Sequence, residues 1–140
     1  MEKLRVGIIG ATGMVGQRFV FLLSEHPYFE LTALVAGPRS AGKSYAEAVE
    51  GRWKMSTPCP ARAAAMEVIS SEDIARVGEL VDFVFCAVNL PKDETRALEE
   101  RYARAEIPVV SNNSANRWTP DVPMVIPEIN DSHLAVIDSQ

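Results

Sequence analysis

The sequence predicts an α/β fold, a doubly wound and mostly parallel sheet in a single domain. Three observations carry that reading. An apolar run, Val6-Gly7-Ile8-Ile9, breaks into Gly10-Ala11-Thr12-Gly13-Met14-Val15-Gly16 and then into a helical pattern. Apolar runs and helical patterns alternate from there onward, which is the signature of strands joined by crossover helices. The stretch from Val81 to Val88 is apolar apart from Asp82, as a strand covered on both faces by helices must be.

Taken in order, the first strand is expected at Arg5–Ile9 and the first helix at Gly13–Glu25, with Val15, Phe19, Leu22 and Leu23 on its apolar face. A second strand follows at Leu31–Ala36. Residues 51–65 read as an irregular excursion, because Trp53, Pro58, Cys59 and Pro60 fit neither period; Ala61–Met66 suits a helix or a loop leading to a short strand. A helix at Glu72–Glu79, a strand at Val81–Ala87 and a helix at Lys92–Ala105 come next. In that last helix Leu98, Tyr102 and Ala105 share one face, while Glu94, Arg96, Glu99, Glu100 and Arg104 reach solvent, with Glu100 and Arg104 spaced as a surface pair. Strands are expected at Pro108–Ser111 and Met124–Ile126, the stretch Trp118–Pro127 (Pro120, Pro123, Pro127) reads as a rigid proline-rich connector, and Asp131–Ile137 reads as a final helix.

The bulk numbers narrow the function. The chain has 140 residues, 47% of them hydrophobic, and a net charge of −5, with its basic residues scattered rather than clustered. Nucleic acid is not an expected partner. No apolar stretch reaches the ~18 residues of a membrane span, and the N-terminus leads directly into a strand, so a cytoplasmic protein is expected. Cys59 and Cys86 have no metal-ligand spacing, and a disulfide is not expected. Cys86, late in a buried strand, reads as a small apolar side chain with a raised thiol pKa. His26 is expected at the surface and His133 in the last helix without a partner. No catalytic set and no metal set is assembled from these residues.

The glycine loop does carry chemistry. A dinucleotide pyrophosphate needs backbone N–H donors at close range and the partial positive charge of a helix N-terminus, and Gly10, Gly13 and Gly16 supply a strand–turn–helix suited to it. The spacing is GxxGxxG, not GxGxxG, and Gly13 is expected to combine close approach with positive φ. A plain turn is the alternative. After the second strand comes Leu34-Val35-Ala36-Gly37-Pro38-Arg39-Ser40-Ala41-Gly42-Lys43, with no carboxylate to bind a ribose hydroxyl. Arg39 offers a planar fork for a 2′-phosphate, Ser40 a further hydroxyl donor and Lys43 charge at longer range. NADP is therefore the expected cofactor, against the alternative of an ordinary basic turn.

Together with Gly10 to Phe19, the blocks His26-Pro27-Tyr28-Phe29-Glu30-Leu31, Arg39 to Lys43, Ser111-Asn112-Asn113-Ser114-Ala115-Asn116-Arg117, and Asp121-Val122-Pro123 through Pro127-Glu128-Ile129-Asn130 resemble the aspartate-semialdehyde dehydrogenase family, in its archaeal and fungal branch. The resemblance is weakest over residues 51–65. It implies a Rossmann-type NADP-binding domain over residues 1–140, the N-terminal part of a two-domain enzyme that reduces aspartyl phosphate to aspartate semialdehyde in the synthesis of lysine, threonine and methionine. It further implies that Thr12, Gly13, Met14 and Val15, between the motif glycines Gly10 and Gly16, match the cofactor loop and that Arg39 and Ser40 meet the 2′-phosphate. Arg117 would hold the substrate phosphate, with Asn113 beside it. The family's cysteine nucleophile lies in an Asn-Cys-Ser/Thr motif beyond Gln140, in a second catalytic and dimerisation domain, and the full-length enzyme is expected to be a homo-oligomer. The domain alone should be inactive and should leave an apolar edge exposed. Malonyl-CoA reductase, N-acetylglutamyl-phosphate reductase and a non-catalytic NADP-binding module are the alternatives. A short-chain dehydrogenase is excluded, since no Tyr-x-x-x-Lys occurs: Tyr28, Tyr45 and Tyr102 are followed four residues on by Thr32, Val49 and Glu106.

Overall fold

The computed structural model describes residues 1–140. Five strands, β1 (Leu4–Ile9), β2 (Phe29–Ala36), β3 (Val68–Ser70), β4 (Phe83–Cys86) and β5 (Val109–Ser111), form one sheet in the order β3-β2-β1-β4-β5. Every pairing is parallel. The helices that connect them are α1 (Met14–Leu23), two short turns α2 (Tyr45–Ala48) and α3 (Ala61–Ala64), α4 (Ile74–Leu80) and α5 (Lys92–Arg104). A right-handed crossover puts α1 to α3 on one face, and the jump from β3 back across β1 to β4 puts α4 and α5 on the other.

Period-two alternation within the strands feeds both layers. Val6, Ile8, Leu34, Ala36 and Val68 pack toward α1–α3, whereas Ile9, Ala33, Val35, Ile69, Val84 and Cys86 pack toward α4 and α5. An aromatic group ties α1 and the sheet together. Phe19 stacks on Phe85 at 4.7 Å, and Phe29 meets Phe83 edge-on at 5.2 Å, contacts worth about 0.5–1.5 kcal/mol each beyond their burial.

The departures from the sequence expectations have physical causes. The buried side of α1 is Gly16, Gln17, Val20 and Leu23, so Val15 and Leu22 face solvent; close packing of Gly16 on the loop turns the helix away from the most hydrophobic face. β3 is the short strand that the reading of Ala61–Met66 allowed; it lies at the sheet edge and is entered through Val68 N–H to Lys43 O and a Ser44–Glu67 bridge. Met124–Ile126 is not a strand. Side chains take its backbone groups instead: Met124 N–H donates to His133 Nδ1, Ile126 N–H donates to Asn130 Oδ1, and Asn130 Nδ2 donates to Met124 O. His133 thus has a partner. The expected final helix is a single α-turn, α6 (Pro127–Asn130), followed by a 3-10 segment over Asp131–Ser139 with no buried residue.

Candidate cofactor and anion site

The loop between β1 and α1 lies at the carboxyl end of β1, where strand order reverses between β2 and β4, the place where open α/β sheets bind ligands. Its glycines divide the work. Gly10 has φ +84, and a Cβ there would stand 2.5 Å from Ala87 O; at Gly16 a Cβ would stand 2.1 Å from Gly10 O. Gly10 therefore lets the loop pass β4, and Gly16 lets α1 sit directly on the loop. Gly13 differs from expectation. It is the α1 N-cap with φ −76, and a Cβ there would meet only Gly10 O at 3.8 Å. What Gly13 provides is open space in front of the helix, not a left-handed backbone.

That helix end is left unsatisfied. The N-cap has no side-chain hydrogen bond, and the first turn holds no acidic residue. The N–H groups of Thr12, Met14, Val15 and Gly16 find no acceptor within the chain, while Gly13 N–H makes a long 3.3 Å bond to Gly10 O. Free donors at an uncapped ten-residue helix are the feature that anion sites in such folds use. The loop carbonyls, in contrast, are taken: Tyr45 Oη, fully buried, donates to Ala11 O at 2.7 Å, and Gln17 Nε2 donates to Thr12 O at 3.0 Å. With its acceptors tied back, the loop presents donors only. Met14 and Val15 are exposed beside them.

Gly10 N–H and Ala11 N–H both donate to Val35 O, so the turn after β2 begins next to the glycine loop. Arg39 is exposed there and forms no ion pair, whereas Ser40 is buried, its N–H on Gly37 O. On the other side Asn113 is brought to the loop through Val88, the residue against which Gly10 packs. Asn113 Nδ2 donates to Val88 O at 2.7 Å, and its Oδ1 is buried without a partner. Arg117 is exposed and donates through Nη2 to Asn112 O at 3.3 Å.

Behind this segment α5 contributes two side chains that the helical pattern placed in solvent. Glu99 is buried among Thr95, Leu98 and Tyr102 and accepts from Ser111 Oγ at 3.1 Å; burial pushes its carboxyl above the usual range. Arg96 donates to Ala115 O at 2.8 Å. The expected Glu100–Arg104 pair does not form; the ion pairs of this helix are Arg101 with Glu72 and Arg96 with Asp93. Gln17, Tyr45 and Glu99 went unrecognised in the sequence. Their only signal is a polar group on an otherwise apolar face.

No reactive thiol lies in this set. Burial pushes Cys86 up to about 12, with the charge of Glu99 adding to it, and burial also raises Cys59. His26 is half-buried and accepts the N–H groups of Tyr28 and Phe29 through Nδ1 at the opposite end of the sheet. No three His, Cys, Asp or Glu side chains gather to hold a metal. No helix is long and apolar enough to cross a membrane. A groove of about 660 Å³ between α4 and α5 is lined by Ile74, Gly78, Val81 and Ile107 and includes none of the loop residues.

A parallel sheet with this strand order and an uncapped, glycine-led helix at its switch point defines a nucleotide-cofactor-binding α/β domain. Within that class the chain belongs to the family described as "Semialdehyde dehydrogenase, NAD binding domain", which matches residues 5–137. It is 47% identical over 137 residues to an aspartate-semialdehyde dehydrogenase of Methanothermobacter thermautotrophicus, covering 98% of this chain and 38% of that protein. It is 41% identical over 135 residues to the Saccharomyces cerevisiae aspartate-semialdehyde dehydrogenase, covering 96% of this chain and 35% of that protein. The fold superposes with a TM-score of 0.88 and 37% identity on the aspartate semialdehyde dehydrogenase of Candida albicans solved with NADP, covering 99% of this chain and 37% of that one. The chain thus spans well under half the length of these relatives.

Proposed function

We propose that this chain is the NADP-binding domain of an aspartate-semialdehyde dehydrogenase. The observation that carries the reading is the α1 N-terminus, where four amides are free and the loop carbonyls are all engaged within the chain. An NADP diphosphate would sit on those amides. Arg39, exposed and unpaired after β2, would take the 2′-phosphate, with Ser40 at its base. The cofactor supplies a hydride; the chain binds and orients it.

In the whole enzyme Arg117 would hold the phosphate of aspartyl phosphate. Asn113, whose buried Oδ1 lacks a donor, would border the same pocket. The nucleophile and the acid/base would come from a second domain, which would cover the exposed Val110 on edge strand β5 and the exposed Trp118, Ile126 and Ile129. Cytoplasmic location and homo-oligomeric assembly belong to this same reading.

Calorimetric titration tests it. The chain should bind NADPH more tightly than NADH. Arg39→Ala should weaken NADPH by ~1.5–3 kcal/mol, the value of a hydrogen bond to a charged group, and leave NADH unchanged. An unaltered preference for NADPH would assign the 2′-phosphate to another residue.

A further inference from the structure

The irregular stretch after α2 is built onto the glycine loop rather than hanging beside it. Gln17, 1% exposed, bonds both pieces with one amide. Its Nε2 donates to Thr12 O and to Arg52 O, each at 3.0 Å, and its Oε1 accepts Lys54 N–H at 2.8 Å. Arg52 N–H donates to Val49 O at 2.8 Å, and Gly51 takes the left-handed turn, φ +69, that brings the strand of chain back. The backbone of residues 52–54 is thereby fixed against Thr12, the residue that leads into the free amides.

This places the Arg52 guanidinium at the loop. Its Nη2 lies 3.5 Å from Thr12 O, a contact at the limit of a hydrogen bond that spends one of five donors. Arg52 is exposed and forms no ion pair. Beyond that one contact the guanidinium has no hydrogen-bond or ion-pair partner within the chain. The geometry points to Arg52 as a diphosphate-binding residue of the cofactor site, held over the glycine loop by Gln17. The inference rests on the cofactor reading above and gives residues 51–54 a role in it. The charge would act on the diphosphate common to both nicotinamide cofactors, not on the 2′-phosphate, so Arg52 and Arg39 divide the two phosphate groups between them. An exposed Arg–phosphate contact is favourable but partly screened.

Arg52→Gln and Arg39→Ala, titrated with NADPH and NADH at two salt concentrations, separate the two roles. Arg52→Gln should weaken both cofactors by the same factor, about 3–10-fold, and should flatten the salt dependence of each. Arg52 is exposed, so the variant should melt like the parent. Adding Gln17→Leu should shrink the effect of Arg52→Gln, because the strap that positions the guanidinium is then unlatched; equal effects in both backgrounds would overturn the latch. If the parent binds both cofactors and Arg52→Gln binds them equally well, Arg52 is a bystander. Loss of NADPH affinity alone would move Arg52 to the 2′-phosphate and overturn the assignment. A parent chain that binds neither cofactor would instead refute the reading on which this one rests.

Discussion

Gly13 and Gly16 stand three residues apart, yet substitution should affect them in opposite ways. Gly16→Ala drives a Cβ to 2.1 Å from Gly10 O, a backbone atom that cannot step aside. It should cost about 1–3 kcal/mol of stability, as overpacking does, and lower the melting temperature. Gly13→Val meets no such obstacle, since the nearest atom is 3.8 Å away and the backbone angle is ordinary. That variant should melt near the parent but lose NADPH binding, because the branched side chain fills the space a phosphate would use. Thermal melts paired with titration distinguish the two. Normal cofactor binding by Gly13→Val would reduce the motif to a turn. The sequence pattern could locate the three glycines but not rank them, since rank depends on which backbone lies opposite each one.

At the scale of elements, the segment Ser111–Arg117 depends on α5. Glu99 and Arg96 hold it from the helix side, through Ser111 and Ala115, while Asn113 holds it to Val88. Burial raises the Glu99 carboxyl, so the folded chain keeps that proton more tightly than the unfolded chain does. The linkage then runs one way: this group adds stability as pH falls through its raised value and withdraws it as pH rises. Glu99→Gln has no such dependence. The carboxylates of Glu30, Glu67, Glu72 and Asp82 are lowered by their arginine partners and titrate alike in both proteins, so they cancel in the comparison. Melting temperatures measured from pH 7 to pH 5 should therefore show the parent gaining on Glu99→Gln as pH falls. A constant difference would mean that Glu99 is not strained by burial.

The same elements show what a sequence can and cannot disclose. Continuous apolar runs located β1, β2 and β4, and the β5 segment was legible from its place after a long amphipathic helix. Helical periodicity misplaces Glu99 because it assigns a face by average hydrophobicity, whereas the buried carboxyl is met by polar partners distant in sequence, Ser111 and Asn116. Gln17 was missed for the same reason, its partners being 5, 35 and 37 residues away. Met124–Ile126 looked like a strand because side-chain capping by Asn130 and His133 leaves no trace in a hydrophobic pattern.

For the whole molecule, binding and reaction separate. The 140 residues should show no NADPH-linked reduction of aspartyl phosphate, and no phosphate-dependent oxidation of aspartate semialdehyde, in an absorbance assay. Acyl transfer needs an activated thiolate, and burial pushes the Cys86 thiol up to about 12, away from the thiolate form. On the proposed function, Arg117→Ala in a full-length enzyme carrying this domain should raise the KM for the phosphate-bearing substrate roughly 10-fold, as loss of a charged hydrogen bond does. Turnover by the 140 residues that disappears in Cys86→Ser would show that the buried thiol reacts after all.

Ala115 is the last buried residue of the chain; everything after it lies on the surface, half-covered or exposed. β1, by contrast, is paired on both sides and sealed by two layers. Amide protons should therefore exchange slowly across the central strands and quickly after Ala115, with Arg117 just past the boundary. On the proposed function, an anion held by Arg117 would bear the entropy of ordering that margin, while a dinucleotide on the α1 amides would meet a surface already rigid. Cofactor affinity would then be inherited from the sheet, and substrate affinity would vary with whatever packs against residues 118–140.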